Sequence, residues 1–110
     1  HGRLVISLDH PIRDCFYSLE EQCQEIYPVH GYFDQQPMRW RWPDSHVWLT
    51  SYHRTVAEWV ALFAHAGFVM RRLLEPTVPA DLLNAWWPVD DAMSSMRHLP
   101  HGIIFVVEKE

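Results

Sequence analysis

The residues able to do chemistry fall in three places. His10 stands directly before Pro11, at the end of an apolar run that starts with Leu4-Val5-Ile6. A histidine there can orient a bound group or take its proton, because imidazole titrates near neutrality. It can equally do no more than shape the turn ahead of Pro11. Tyr52, His53 and Arg54 are consecutive, just ahead of a helix start. Tyr52 or His53 can hydrogen-bond a small molecule and Arg54 can grip a carboxylate, or the three can simply pack a loop. Trp40, Trp42 and Trp48 offer aromatic faces that can wall an apolar pocket and exclude water. At least one of them is expected in the core and at least one in a lid. Arg39 and Arg41 are expected to stack on these rings or face solvent.

The eight histidines do not read as a metal set. His98 and His101 are three apart, but Pro100 between them forbids a regular helix. His46 and His53 have odd spacing, which points them to opposite faces of a strand. No metal is expected. Cys15 and Cys23 have seven residues between them, which is no common zinc spacing. They read as free thiols in a reducing compartment.

These residues need elements to position them. Arg3 to Leu8 reads as a strand, ended by Asp9-His10-Pro11; its unbroken apolar run suits burial on both faces. Residues 11–54 form a long insertion, in which Leu19 to Ile26 fits a short helix. Met38 to Trp42, the turn residues Pro43-Asp44-Ser45, and His46 to Tyr52 read as a β-hairpin over 38–52. Alternation puts Trp40 and Trp42 on one face and Arg39 and Arg41 on the other. Residues 55–67 are the clearest helix. Thr55 and Glu58 form a capping box, Val56, Trp59, Val60 and Phe63 make one apolar stripe, and Gly67 is the left-handed stop. A strand over 68–75 follows, then a helical connection over 76–102 with short helices near 80–87 and 90–97. Trp86 and Trp87 are expected to pack on the sheet. The last strand, 103–109, is apolar on both faces and so central.

Length and charge limit what this scaffold can be. The 110 residues allow one domain. A net charge of -5 argues against binding nucleic acid, which needs a basic face. No apolar run approaches the eighteen residues of a membrane span, and no secretory signal is apparent, so a cytoplasmic protein is expected. The opening His1-Gly2-Arg3, in place of Met, reads as the interior of something longer.

The order of elements and several local strings resemble the C-terminal half of the class I S-adenosylmethionine-dependent methyltransferases of small-molecule type, which are Rossmann-like. Gly2-Arg3-Leu4-Val5-Ile6-Ser7 followed by His10-Pro11 is similar to that family's fifth strand. Tyr52-His53-Arg54-Thr55, an amphipathic helix and Ala66-Gly67-Phe68 are similar to its last large helix and the start of its sixth strand, which Leu73-Leu74-Glu75-Pro76 ends. Pro100 to Lys109 is similar to its seventh strand.

The resemblance implies a partial α/β fold. A three-stranded mixed sheet would hold the first strand, the last strand antiparallel in the middle, and the strand 68–74, with one main helix and an inserted hairpin lid. It implies His10 and His53 as catalytic candidates, with Tyr52, Arg54, Trp40, Trp42 and Trp48 around a small-molecule methyl acceptor. It also implies S-adenosylmethionine in the parent enzyme. The family's Gly-rich cofactor loop has no counterpart, because Gly2, Gly31, Gly67 and Gly102 make no G-x-G pattern. The strand over 3–8 would then have a free edge, expected to be covered by a missing N-terminal half or a second chain. The other reading is a small non-enzymatic α+β module that binds a partner through its tryptophans.

Overall fold

The computed structural model describes residues 2–19, 21, 23–35 and 37–110. His1 and parts of the helix expected over 19–26 lie outside the described residues. The strands are β1 (Arg3–Asp9), β2 (Tyr17–Ser18), β3 (Cys23–Gln24), β4 (Pro37–Arg41), β5 (Trp48–Tyr52), β6 (Phe68–Leu74) and β7 (Gly102–Lys109). The helices are α1 (Pro11–Asp14), α2 (Val56–His65) and α3 (Ala80–Trp86), with a 3-10 turn over Ser94–His98.

β7 lies between β1 and β6 and is antiparallel to each. The expected strand order is present, with the last strand antiparallel in the middle; β1 and β6 share a direction without pairing. Strict alternation along β7 buries Ile103, Phe105 and Val107 completely, while Ile104 and Val106 turn to the other face and are half-buried. α2 covers the first face. Its Phe63 packs on Phe105 with ring centroids 5.2 Å apart, and Val56 and Trp59 flank it.

α2 forms where local signals agree. The Thr55 hydroxyl accepts the Glu58 amide at 3.1 Å, and the Glu58 carboxylate accepts the Thr55 amide at 3.1 Å, which satisfies two of the donors a helix start leaves over. Gly67, at φ 87°, stops the helix in the left-handed region. Lys109 at the end of β7 then donates to the Ala66 carbonyl and lies over the Phe68 ring.

Four expectations need correction. β1 is not buried on both faces: Val5 is 62% exposed and Leu4 39%. β1 is an edge strand paired only with β7 among the described residues, and α2 covers one face alone. The described residues of 19–26 are not helical, since Tyr17–Ser18 pairs with Cys23–Gln24 instead. Glu25 N–H donates to the Phe16 carbonyl at 2.6 Å and Val29 N–H to the Cys15 carbonyl at 2.7 Å, so backbone bonding to the preceding turn outweighs a helix with no apolar stripe. The hairpin of β4 and β5 has the expected faces, with Trp40 against Trp42 at 5.8 Å and Arg39 over Trp48 at 4.9 Å. Yet none of its tryptophans is in the core, because the hairpin is a separate two-stranded sheet. Finally, Trp86 is exposed; only Trp87 packs inward, stacked on His101 at 4.4 Å. No helix among the described residues is long and apolar enough to cross a membrane.

Candidate functional site

The site grows from the end of β1. His10 is the N-cap of α1, and Pro11 takes the first helical position, where a missing N–H costs nothing. The Ile12 amide donates to His10 Nδ1 at 3.1 Å. That leaves the proton on Nε2, which donates to Glu75 at 2.6 Å. The His10 backbone amide also donates to the His101 carbonyl at 3.2 Å. His10 is 1% exposed and ties the end of β1 to the start of β7 and the residue after β6. Both of its ring nitrogens are engaged.

Asp9 closes β1, and Arg13, four residues on in the single turn of α1, donates to it at 3.0 Å. Asp14 follows and meets His53, which the end of β5 brings in from the hairpin. His53 Nε2 lies 2.6 Å from the Tyr32 carbonyl, and a carbonyl can only accept, so Nε2 carries the proton. His53 Nδ1 faces Asp14 Oδ2 at 3.4 Å. Burial pushes the Asp14 carboxyl above its ordinary range, and the hydrogen bond and charge of His53 offset this only in part. Tyr32 steadies the arrangement. Its hydroxyl accepts the Val56 amide at 2.9 Å, and its ring stands edge-on to His53 at 5.8 Å.

Beside this pair is a cavity of about 220 Å3, walled by Arg13, Asp14, Tyr17, Met38, Trp40 and His53. Gln24 and Ser51 add an amide and a hydroxyl to it. Trp40 is fixed by its indole N–H, which donates to Ser51 Oγ at 2.9 Å. A smaller cavity of about 100 Å3 shares Asp14, Met38 and His53 and adds Cys15 and His30. The larger of these two cavities can hold a small molecule against aromatic and thioether surface and present it to a carboxyl–imidazole pair able to accept a proton.

Of the residues singled out from sequence, the fold brings His53 and Trp40 together here. Tyr52 sits between Ser51 and His53, so strand alternation turns it away, and it is 63% exposed. Arg54 lies over Trp59 at 5.4 Å. Trp42 and Trp48 are exposed at the outer part of the hairpin, and His10 is not among the residues lining the cavity. Sequence reasoning missed Asp9, Arg13, Asp14 and Gln24. The available signal was Pro11 as a helix start, with Asp9 and Arg13 on either side of it at i, i+4 spacing. Among the described residues no three His, Cys, Asp or Glu side chains gather as a metal set.

The residues present do not fit S-adenosylmethionine. Such a cofactor needs glycine backbone for close approach, after a strand and before a helix. A side chain at Gly31 would meet the Asp34 carboxylate, whose Oδ2 would lie 2.7 Å away; Gly67 is the helix stop at φ 87°; and Gly102 lies in the β1–β7 ladder. Gly2 faces open space, with nothing within 4 Å of an added Cβ.

No family model matches this sequence, and no curated protein matches it. Solved structures do match its fold. A protein of Listeria monocytogenes assigned as an S-adenosylmethionine-dependent methyltransferase superposes with a TM-score of 0.65 at 21% identity, over 99% of this chain and 47% of that one. An S-adenosylmethionine-dependent methyltransferase from Mesorhizobium loti gives a TM-score of 0.60 at 19% identity, over 96% of this chain and 48% of that one. The chain therefore has a partial methyltransferase fold and spans about half the length of the solved structures it matches.

Proposed function

We propose that these residues form the acceptor-binding part of a methyltransferase that acts on a small molecule. The cavity at the carboxyl end of β1, closed by His53 and Trp40, is the observation that carries this reading. Ligands of open α/β sheets sit at that end of the strands, and the fold is that of half a methyltransferase. In this reading Asp14, backed by His53, takes a proton from an acceptor hydroxyl or amine. Trp40 walls the acceptor, while Trp42 and Trp48 form the outer lid and Tyr52 and Arg54 border it. His10 holds the strand ends that frame the cavity. S-adenosylmethionine is held by residues outside these 110, and the free edge of β1 is where that part pairs.

The test uses the 110-residue chain and the intact protein isolated from its source. The short chain is expected to show no saturable binding of S-adenosylmethionine by calorimetry. The intact protein is expected to be heavier than the 110 residues and to pass label from methyl-labelled S-adenosylmethionine to a small-molecule fraction. Asp14→Asn in the intact protein is expected to slow that transfer by about 10²-fold or more, the usual contribution of a positioned base. An intact protein of 110 residues that transfers no label overturns the reading. Stable capture of another protein by the exposed tryptophans would then favour the partner-binding module.

A further inference from the structure

The hairpin of β4 and β5 is a two-stranded sheet of its own. Two strands alone are at best marginally stable in water, and every residue of β5 is exposed. The two edges of this hairpin differ. The Trp42 amide donates to the Val47 carbonyl at 2.8 Å, and the same register runs on through Trp40↔Leu49 and Met38↔Ser51. Only alternate pairs of an antiparallel ladder exchange hydrogen bonds. The backbone groups of Trp48, Thr50 and Tyr52 therefore point outward along β5, and those of Pro37, Arg39 and Arg41 outward along β4. The β4 edge carries a proline, which has no N–H, and two arginines, both of which discourage strand addition. The β5 edge carries no charge and no proline from Trp48 to Tyr52. Its outward groups make no backbone hydrogen bond outside the hairpin among the described residues.

We propose that β5 pairs antiparallel with β5 of a second copy of this chain, about a twofold axis through Thr50. That register sets Trp48 opposite Tyr52 of the second copy, Leu49 opposite Ser51, and Thr50 opposite Thr50. It is the one twofold register in which Trp48, Thr50 and Tyr52 all meet outward-pointing residues. The side chains agree with it. Arg39 lies over Trp48 at 4.9 Å, and alternation puts Trp48, Thr50 and Tyr52 on that same face. Trp48 is 50% exposed and Tyr52 63%, so both rings have surface to bury. Aromatic pairs and Thr–Thr pairs are favourable cross-strand neighbours. No charged residue of β5 meets its own kind across the axis, which matters in a chain of net charge -5. Trp40, bonded to Ser51 at 2.9 Å, lies on the opposite face with the cavity. The four-stranded sheet thus carries two cavities on one face and the aromatic row on the other.

The decisive contact is between Trp48 and Tyr52. Within one copy they are four residues apart on an extended strand, about 13 Å, too far for a nuclear Overhauser effect. A mixture of isotope-labelled and unlabelled 110-residue chain is expected to show such an effect between the two rings, from one copy to the other. Thr50→Pro removes an outward N–H that the hairpin does not use. It is expected to abolish that contact and to weaken the association measured through it by about tenfold or more. The Trp40 indole N–H signal is expected to stay in place, which reports an intact hairpin. Where Thr50→Pro moves that signal, Thr50→Lys, a charge on the same edge, takes its place with the same expectation. Absence of a Trp48–Tyr52 contact in the native chain overturns the proposal, even where the tryptophans capture another protein. So does a contact that persists undiminished in a variant with its hairpin intact. Pairing through β1 does not bring Trp48 to Tyr52, so the two edges are read separately, and neither result depends on methyl transfer.

Discussion

Asp14 answers to two neighbours at once. The protein around it disfavours its charge, and His53 favours it, with burial the larger influence. Its folded pKa lies above the ordinary 3.8. Below that value the carboxyl is protonated in both folded and unfolded chains, and its stabilising contribution is fully present. As pH rises through the raised folded value the folded state must ionise a buried group, and the contribution is lost. Asp14→Asn, which cannot ionise, is therefore expected to gain stability relative to the native chain as pH climbs from about 3.8 toward neutrality. Urea denaturation of both chains across that range checks it. Parallel stability curves would show that burial at Asp14 has no energetic consequence.

At the scale of the element, α2 is held by its two ends. Thr55→Ala removes the reciprocal cap and is expected to cost about 1 kcal/mol. Gly67→Ala places a side chain at φ 87° and is expected to cost about 1–2 kcal/mol for the left-handed backbone. Denaturation midpoints of the two variants test this, and an unchanged midpoint for Gly67→Ala would mean that the turn relaxes freely. This helix was legible in the sequence because its stripe, its cap and its stop are local and agree. β7 was legible too, through its unbroken apolar run. The cavity was not. Asp9 is the last residue of β1, Arg13 and Asp14 come from one turn of helix, too short to show periodicity, and Gln24 comes from a two-residue strand made by backbone pairing. His53 and Trp40 were legible as residue types, but strand alternation decided that Tyr52, between Ser51 and His53, would turn away.

For the whole molecule the governing feature is β1, an edge strand with Leu4 and Val5 exposed. A net charge of -5 favours solubility, but the unpaired edge favours strand addition. The 110-residue chain is expected to self-associate as its concentration rises, and Val5→Lys, a charge on that edge, to shift it toward monomer. Sedimentation velocity distinguishes the two, and a native chain that stays monomeric at every concentration would remove β1 as a pairing edge. The central place of β7 has a consequence for how the sheet comes into being. Its partners precede it in sequence, and the pair Arg3–Glu108 joins nearly opposite ends of these residues. Contacts of such long range make for slow folding. On a ribosome adding roughly 5–20 residues per second, β1 waits about 5–20 s for its only described partner strand to be made. During that interval it is an apolar segment in search of a ladder, and a chaperone is best placed to meet it then.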